Sequence, residues 1–305
     1  MIKEIMEDSE IVGKHQNPQN QLMRNNRYEL SHTKDINLNS IYLHSHDFYE
    51  IYFFVSGKTI YSVENLHYNL ISGDILLIPA NVLHQLEIKD TSVPYERIVL
   101  WLNPRYLAEL SSKKTDLAEC FSSCLENRSF LLRDYFLSSK IREKLLFLKH
   151  LEMLENEKDF GVDIEKEQSI RSMLLDINRF FYSANFDPPA TNARYAHRSS
   201  HIVSGAMDYI EKNLTQDLSL DSIANHIFVS KYHLAHSFKE ETNITVHQFV
   251  VKKRLLLAKK YIERGKSIKE LYEICGFKDE STFFRLFKSE FGITPKQYRQ
   301  YKNLI

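Results

Sequence analysis

The sequence predicts a two-domain α+β protein, with an N-terminal β-barrel followed by helices and a C-terminal all-α domain that contains two helix-turn-helix units. Three observations lead to this prediction. Residues 27–100 are rich in Tyr, Phe, Ile, Leu and Val and are broken by short turn signals, which indicates antiparallel strands. The spacing of apolar residues becomes helical from about Asn103. A segment in the last third of the chain occurs twice, which is typical of a repeated supersecondary unit.

Length and composition agree with this layout. A chain of 305 residues with 43% hydrophobic residues is long and apolar enough for two or three domains with full cores. The sequence has no run of about 18 apolar residues, so we expect no membrane span. Cys120, Cys124 and Cys275 form an odd, sparse set, which suits a reducing cytoplasm. Cys120 and Cys124 are one helical turn apart, and we expect them to pack in a core.

The first two thirds of the chain divide into four predicted segments. Residues 1–25 are acidic and polar, and we expect a flexible tail there rather than a signal peptide. Residues 26–102 are predicted to form the barrel and residues 103–185 a helical segment. The apolar face of Ile170–Phe181 is too hydrophobic for a solvated helix, so we predict a homodimer contact there. Residues 186–200 contain two prolines and small polar residues and are predicted to link the domains.

Residues 201–305 form the predicted C-terminal domain, with helix-turn-helix units at about 219–241 and 267–291. Residues 238–249 align with residues 287–298, 49 positions later, and six of the twelve positions are identical. Both units carry residue types that begin and end helices. These residues are the candidate N-caps Ser219, Ser230, Ser267, Asp279 and Thr294, the turn residue Gly276 and the helix-ending Gly292.

At these positions the sequence resembles a known family. The run from Gly276-Phe277 through Phe287-Lys288 and Thr294-Pro295 to Tyr298-Arg299 is similar to the signature of AraC/XylS-family transcriptional regulators. The resemblance covers about residues 201–302. It implies that the C-terminal domain binds double-stranded promoter DNA, with one recognition helix of each unit in the major groove.

The resemblance also implies which residues face DNA. Arg285 is the best candidate for a base contact, because a guanidinium can bond guanine through two hydrogen bonds. Lys239 and Lys288 are expected to contact phosphates. Charge supports this assignment, since residues 201–305 contain 17 Lys and Arg against 12 Asp and Glu, and the rest of the chain 23 against 28. The implied DNA-facing residues are Tyr232, Ala235, His236, Lys239, Glu280, Ser281, Thr282, Phe284, Arg285 and Lys288.

Two positions depart from the family pattern. Asn243 stands where glycine is usual after the first recognition helix, and asparagine also tolerates the left-handed conformation. Leu271-Tyr272 stands where Ile-Ala is usual in the second unit. We expect the larger Tyr272 to push outward and to change the docking of the second recognition helix.

A second constellation lies in the predicted strands. It includes His44, His46 and Glu50, followed further on by His84. The spacing of these residues resembles the two motifs of the cupin barrel, whose corresponding four positions hold a divalent metal in metal-binding cupins. Imidazole and carboxylate suit iron, manganese or zinc. AraC-type sensor domains often resemble cupins, and many use the pocket for a small organic ligand such as a sugar, without metal. A metal site, a metal-free effector pocket and a purely structural set therefore stay open as interpretations. The four candidate residues are His44, His46, Glu50 and His84.

Together these features predict a cytoplasmic, non-enzymatic transcriptional regulator that responds to a small-molecule effector. We expect no cofactor apart from the divalent metal considered above. The expected partners are promoter DNA, the effector and a second copy of the chain, with no membrane, and RNA polymerase is a further candidate. The alternative is a metal-dependent cupin enzyme tethered to a DNA-binding domain, which a tightly held metal together with substrate turnover would identify.

Overall fold

A computed structural model shows two compact units in this chain. Most of the first unit is Ser45–His197, and most of the second is Arg198–Ile305. The first unit is rich in β-structure and the second is helical, so the predicted α+β class is confirmed. No helix among the described residues combines the length and the apolar character that a membrane crossing requires. The described residues are 23–38, 40–154, 160–183 and 194–304.

The strands of the described N-terminal part form two five-stranded sheets. They are β1 (Tyr28–Asp35), β2 (Ile41–His44), β3 (Tyr49–Ser56), β4 (Thr59–Val63), β5 (Leu66–Asn69), β6 (Ile75–Ile78), β7 (His84–Ile88), β8 (Tyr95–Leu102), β9 (Leu131–Leu132) and β10 (Ala196–Arg198). The strand order is β1-β8-β3-β6-β9 in the first sheet and β10-β5-β4-β7-β2 in the second.

Strand β3 is the centre of the first sheet. It pairs antiparallel with β8 and with β6, which places Glu50 opposite Trp101 on one side and opposite Ile78 on the other. Glycines at two turns between these strands adopt positive φ, 133° at Gly57 and 93° at Gly73, as tight reversals require. The pairing therefore carries one carboxylate into the middle of an otherwise apolar sheet.

Helices complete the N-terminal unit and cover its sheets. They are α1 (Pro104–Leu110), α2 (Glu119–Asn127), α3 (Tyr135–Met153) and α4 (Val162–Phe181). Strand β9 interrupts the segment 103–185, which we predicted to be helical, because Leu131 and Leu132 pair with β6. Two adjacent leucines have no periodicity that separates strand from helix.

The apolar face of Ile170–Phe181 lies inside the unit. Ile170, Met173 and Ile177 have relative exposures of 0% and belong to the same core as both sheets. The prediction of a dimer contact on this face is wrong, because α4 uses the face to cover the core of its own chain. Periodicity shows that a face must be buried, and it does not show what buries it.

Buried cysteines belong to the same core, as predicted. Cys120 and Cys124 on α2 are both 0% exposed. Burial raises the pKa of both thiols, which keeps them protonated and unreactive. Burial also raises the pKa of the Cys275 thiol in the C-terminal unit to about 12.

The predicted linker, residues 186–200, contains regular structure at its end. Residues 186–193 lie outside the described residues, as do residues 1–22 of the predicted tail. Ala196–Arg198 forms β10, an edge strand of the second sheet, and the boundary between the two compact units falls between His197 and Arg198, inside the predicted linker. The backbone of a short polar segment can extend a sheet edge without any side-chain signal.

The C-terminal unit consists of helices with one 3₁₀ turn at Ile268–Glu270. Ser219 and Ser222 form a capping box at the start of its second helix, and Ser230 caps the third. The helices are α5 (His201–Lys212), α6 (Leu220–His226), α7 (Lys231–Thr242), α8 (Val246–Glu263), α9 (Leu271–Ile274), α10 (Glu280–Phe291) and α11 (Pro295–Leu304).

The sequence repeat reappears in the geometry of the helix caps. At the start of α8, Thr245 N–H donates to Gln248 Oε1 over 2.8 Å and Gln248 N–H donates to Thr245 Oγ1 over 3.2 Å. At α11, 49 residues later, Thr294 and Gln297 exchange the same bonds over 2.9 and 3.2 Å. Local sequence therefore sets the start of both helices in the same way.

The departures from the family pattern have small effects on the fold. Asn243 ends α7 with φ 59°, much as Gly292 ends α10 with φ 74°. Tyr272 is half-buried and packs against the core of the second unit beside the fully buried Leu271, so the expected outward push is wrong. The predicted cap at Ser267 is also wrong, because the second helix-turn-helix unit begins with a 3₁₀ turn and the serine side chain makes no cap hydrogen bond.

Candidate functional site

Three of the four predicted cupin-type residues meet in the interior of the N-terminal unit. His46 follows β2, Glu50 lies on β3 and His84 begins β7. One potential ligand atom from each of them lies within 4.8 Å of the other two. His44, at the end of β2, is also buried but is not part of this group among the described residues.

Backbone carbonyls fix the orientation of the two imidazoles. Nδ1 of His46 donates to the carbonyl oxygen of Phe48, and Nδ1 of His84 donates to that of Val82, each over 2.9 Å. A neutral ring that donates through Nδ1 keeps its lone pair on Nε2, which is then the atom that could bind a metal. Nδ1 of His44 makes the same kind of bond, over 2.9 Å, to Tyr42.

Glu50 is the acceptor at the centre of the site. Its Oε2 lies 3.2 Å from Nε2 of His46 and accepts a 2.8 Å hydrogen bond from the indole N–H of Trp101. Its Oε1 accepts a 3.3 Å bond from the hydroxyl of Tyr61. Burial, and then the charge of Glu50, raise the pKa of Tyr61 well above its usual range, so the phenol stays neutral and donates.

Aromatic rings surround these polar atoms. The His46 ring stacks on Phe48 with a centroid distance of 3.9 Å, and Phe48 lies 4.7 Å from Trp101. Tyr52 lies 4.9 Å from Tyr61. The enclosure excludes water and strengthens each electrostatic contact. A ligand that reaches the carboxylate must therefore enter the interior of the unit.

The donor set suits either of two ligand classes. Two imidazole nitrogens and one carboxylate are ligands that iron or zinc accept in proteins, and the carbonyl bonds at Nδ1 orient the rings as metal sites require, so the residues fit such an ion. The same groups, with Tyr61 and Trp101, also offer the donors and acceptors that a small polyhydroxy compound needs.

Helix α7 presents most of its predicted DNA-facing residues to solvent. Tyr232, His236 and Lys239 are exposed, and Ala235 is half-buried. Leu234 and Phe238, on the opposite face, are fully buried. The helix therefore has one face anchored in the unit and one face free for a major groove.

Helix α10 repeats this arrangement with one difference. Its exposed residues include Arg285 and Lys288, while Phe283 and Phe287 are buried. Phe284, predicted to face DNA, is half-buried and meets Phe283 edge-on at 5.4 Å, so much of its ring belongs to the core. Thr282 is half-buried as well, and Glu280 and Ser281 are exposed.

Helix α8 connects the two helix-turn-helix units and is fastened to both. Lys253 Nζ lies 2.8 Å from a carboxylate oxygen of Glu211 on α5, and Lys252 pairs with Glu290 on α10. Arg254 donates to the carbonyl oxygens of Leu214 and Gln216 over 2.9 and 2.6 Å. These contacts hold α8 against α5, against the segment that follows α5 and against α10.

Sequence reasoning missed Trp101 as a site residue. It is the one tryptophan of the sequence. Its contact with Glu50 depends on the pairing of β3 with β8, which are 51 residues apart at that point. The only available signal was the residue type, because tryptophan combines a large apolar ring with a donor that needs a partner.

Comparison with known proteins identifies both parts of the chain. A family model described as an AraC-like ligand binding domain matches residues 32–138, and a model described as a helix-turn-helix domain matches residues 223–301. The two models together account for most of the described structure.

Several known proteins are similar to parts of this chain. The chain is 33% identical to a probable transcription factor, PqrA, of Proteus vulgaris over 33% of its own length and 86% of that protein. It is 32% identical to the xylose operon regulatory protein of Haemophilus influenzae over 41% of its length, and it spans about a third, 34%, of that relative. Among solved structures, the C-terminal domain of AraT from Geobacillus stearothermophilus matches 34% of this chain and 88% of its own, with 33% identity and a TM-score of 0.33.

Proposed function

Because the chain belongs to the AraC family of transcriptional regulators, we propose that it binds promoter DNA through both helix-turn-helix units and changes transcription when a small molecule binds its N-terminal unit. The observation that carries this proposal is the duplicated recognition helix. Helices α7 and α10 are capped alike and expose basic side chains on the face opposite their buried aromatic residues. Helices α7 and α10 would each occupy one of two adjacent major grooves on the same side of the duplex.

Substitutions of Arg285 and Lys288 should distinguish a contact with a base from a contact with a phosphate. Replacing Arg285 by alanine is expected to weaken binding to the selected site by about 1–3 kcal/mol and to relax preference at one base pair. Replacing Lys288 by alanine is expected to weaken binding to selected and random duplexes alike and to reduce the salt slope by about one. The measurement is a titration of single-base variants of the site at two salt concentrations.

His236 supplies the matched variant in the first unit. The base pair affected by His236→Ala should lie about 10 base pairs from the one affected by Arg285→Ala. If both variants alter preference at the same base pair, the two recognition helices do not occupy successive grooves. If Arg285→Ala weakens binding to every sequence equally, Arg285 contacts phosphate and not a base.

The effector site of this proposal is the cluster of His46, Glu50 and His84. We propose a small polyhydroxy effector, such as a sugar, held by hydrogen bonds to these residues and stacked on the surrounding rings. The name of the Haemophilus relative, a xylose operon regulator, is consistent with a sugar. Trp101 donates to Glu50, so its fluorescence should change when an effector displaces that bond.

A divalent metal at the same residues is the second candidate, favoured by the three potential ligand atoms within 4.8 Å of one another. His46, Glu50 and His84 would hold it, and it would orient a bound effector. If it binds, elemental analysis of protein expressed with iron, manganese and zinc should find about one equivalent per chain, and His46→Ala should remove it. The exposed His150 provides a control, since His150→Ala should retain the metal.

The two candidates for this site predict different results. A metal-free effector pocket predicts no bound metal, and His84→Ala should weaken the response to effector while basal DNA binding is unchanged. Variants that match the wild-type protein in metal content and in effector response would leave the cluster with a structural role only.

Coupling between the units would follow from linkage. An effector that binds one arrangement of the chain more tightly shifts the population toward it, and the arrangements would differ in DNA affinity. The proposal includes a cytoplasmic location and no enzymatic activity. A homodimer and a contact with RNA polymerase stay predictions.

A further inference from the structure

Phe228 lies in the turn between α6 and α7 and is 93% exposed. Its φ is 58°, in the left-handed region that bulky side chains rarely adopt. Among the residues that the structure describes, it is the only aromatic residue with a positive φ. Neither the backbone conformation nor the solvated ring stabilises the folded unit.

The second helix-turn-helix unit shows the same residue in a structural role. Counted from the following N-cap, Phe277 occupies the same position, 49 residues later, yet it is only 8% exposed. Counted from the preceding helix, Phe228 corresponds to Gly276, because each follows the C-cap and donates its N–H to the carbonyl oxygen three residues earlier. Its ring centroid lies 5.3 Å from that of Phe283. In this turn Gly276 takes the left-handed conformation with φ 82°, and the following phenylalanine points inward. In the first unit Phe228 takes that conformation itself and points outward.

The first turn makes its inward contact through a different residue. Ile227 is half-buried, and its Cγ2 lies 3.2 Å from the position that a Cβ would occupy at Gly205 on α5. The missing side chain at Gly205 therefore lets α5 approach Ile227 closely. Val229 is half-buried on the other side of Phe228. The phenyl ring is left outside this packing.

Phe228 lies close in sequence to the predicted DNA-facing helix α7. It lies three residues before Lys231, the first residue of α7, and the N-terminal residues of a recognition helix are those that reach base edges. Tyr232 is 78% exposed, and Lys231 Nζ lies 5.9 Å from the centroid of its ring. Exposed aromatic and cationic side chains, from Phe228, Lys231 and Tyr232, are thus found both in the turn and in the first residues of α7.

We propose that Phe228 contacts DNA and packs its ring against the 5-methyl group of a thymine at the edge of the half-site read by α7. Apolar side chains, phenylalanine included, recognise thymine through this methyl group in the major groove. The contact would bury ring surface that water now surrounds. This inference rests on the proposed function, because it requires α7 to lie in a major groove.

The test uses the full-length protein and a binding site selected from random-sequence duplexes by the wild-type chain. Each thymine of the site is then replaced by uracil, which pairs identically but lacks the methyl group. Wild-type affinity should fall about four-fold at one uracil, the ratio expected for one buried methyl group. Phe228→Gly should lower affinity for the thymine duplex about ten-fold and should not respond to that uracil.

Stability measurements separate loss of contact from loss of fold. Glycine and asparagine adopt the left-handed conformation with little strain. Phe228→Gly and Phe228→Asn should therefore have a Tm at or above that of the wild-type protein. Both should bind DNA more weakly despite this stability.

Other outcomes would overturn the inference. Unchanged affinity in Phe228→Gly would exclude a DNA contact, and a loss that keeps the full uracil response would exclude the thymine methyl group. Unchanged affinity with reduced transcription would assign the ring to a protein partner instead. A wild-type chain that selects no sequence would overturn the proposed function itself, which distinguishes the two failures.

Discussion

Replacing Asp74 by asparagine is expected to destabilise the N-terminal unit by about 3 kcal/mol. Asp74 is 1% exposed, and its two carboxylate oxygens accept hydrogen bonds from Nε and Nη2 of Arg133 over 2.7 and 2.6 Å. Arg133 also donates to the carbonyl oxygen of Asn69 over 2.9 Å. Asparagine keeps the shape and removes the charge, so the guanidinium keeps its place without its counter-ion.

The single tryptophan provides the measurement for this prediction. Trp101 lies in the N-terminal unit, so urea unfolding followed by its fluorescence reports on that unit. Asp90 is the control, because its 2.9 Å pair with Lys58 lies at the surface and Asp90→Asn should change the midpoint little. Equal effects of the two substitutions would mean that the Asp74–Arg133 pair contributes no more than a surface pair.

Replacing Phe287 by alanine is expected to destabilise the C-terminal unit by about 3–5 kcal/mol. Phe287 is fully buried, and its ring centroid lies 5.8 Å from Phe283, 4.7 Å from Phe291 and 6.1 Å from Tyr298. These contacts hold the inner face of α10 against the unit. The variant should therefore lose binding at the half-site read by α10 before it loses binding at the other.

Thermal unfolding followed by far-ultraviolet circular dichroism would measure this effect. Tyr232→Ala is the matched control, since Tyr232 is an aromatic residue on the equivalent helix α7 but is 78% exposed. Its effect on stability should stay within about 0.5 kcal/mol. A Phe287→Ala protein as stable as Tyr232→Ala would show that the aromatic core of this unit repacks without loss.

The C-terminal unit could be predicted closely because its signals are local. Ser230, Asp279 and Thr294 cap helices at the predicted positions, and each acts on a backbone N–H within three residues. Ser267 is the exception, because a 3₁₀ turn and an α-helix can begin with the same residue types, and this serine precedes a 3₁₀ turn without making a cap bond.

The N-terminal unit depends more on contacts between distant residues. His46, Glu50 and His84 could be named because they follow a spaced motif, whereas Trp101 required knowledge of strand pairing. The face of Ile170–Phe181 was recognised as apolar, but its partner is the core of the same chain. Sequence periodicity shows which face of a helix is apolar, but it does not show which surface that face packs against.

Under the proposed mode of DNA binding, helix α8 would make the spacing between promoter half-sites a structural constant. It has 18 residues and is about 27 Å long, and its contacts with Glu211 and Glu290 fasten it to the helices on either side. Adding one base pair between half-sites turns one of them by about 35° around the duplex, which a fastened helix cannot follow. Adding one residue to α8 would turn the second unit by about 100°, which overshoots that change. New target genes would therefore be acquired by base substitutions within half-sites at a conserved separation, and promoters with altered spacing would be lost to this regulator.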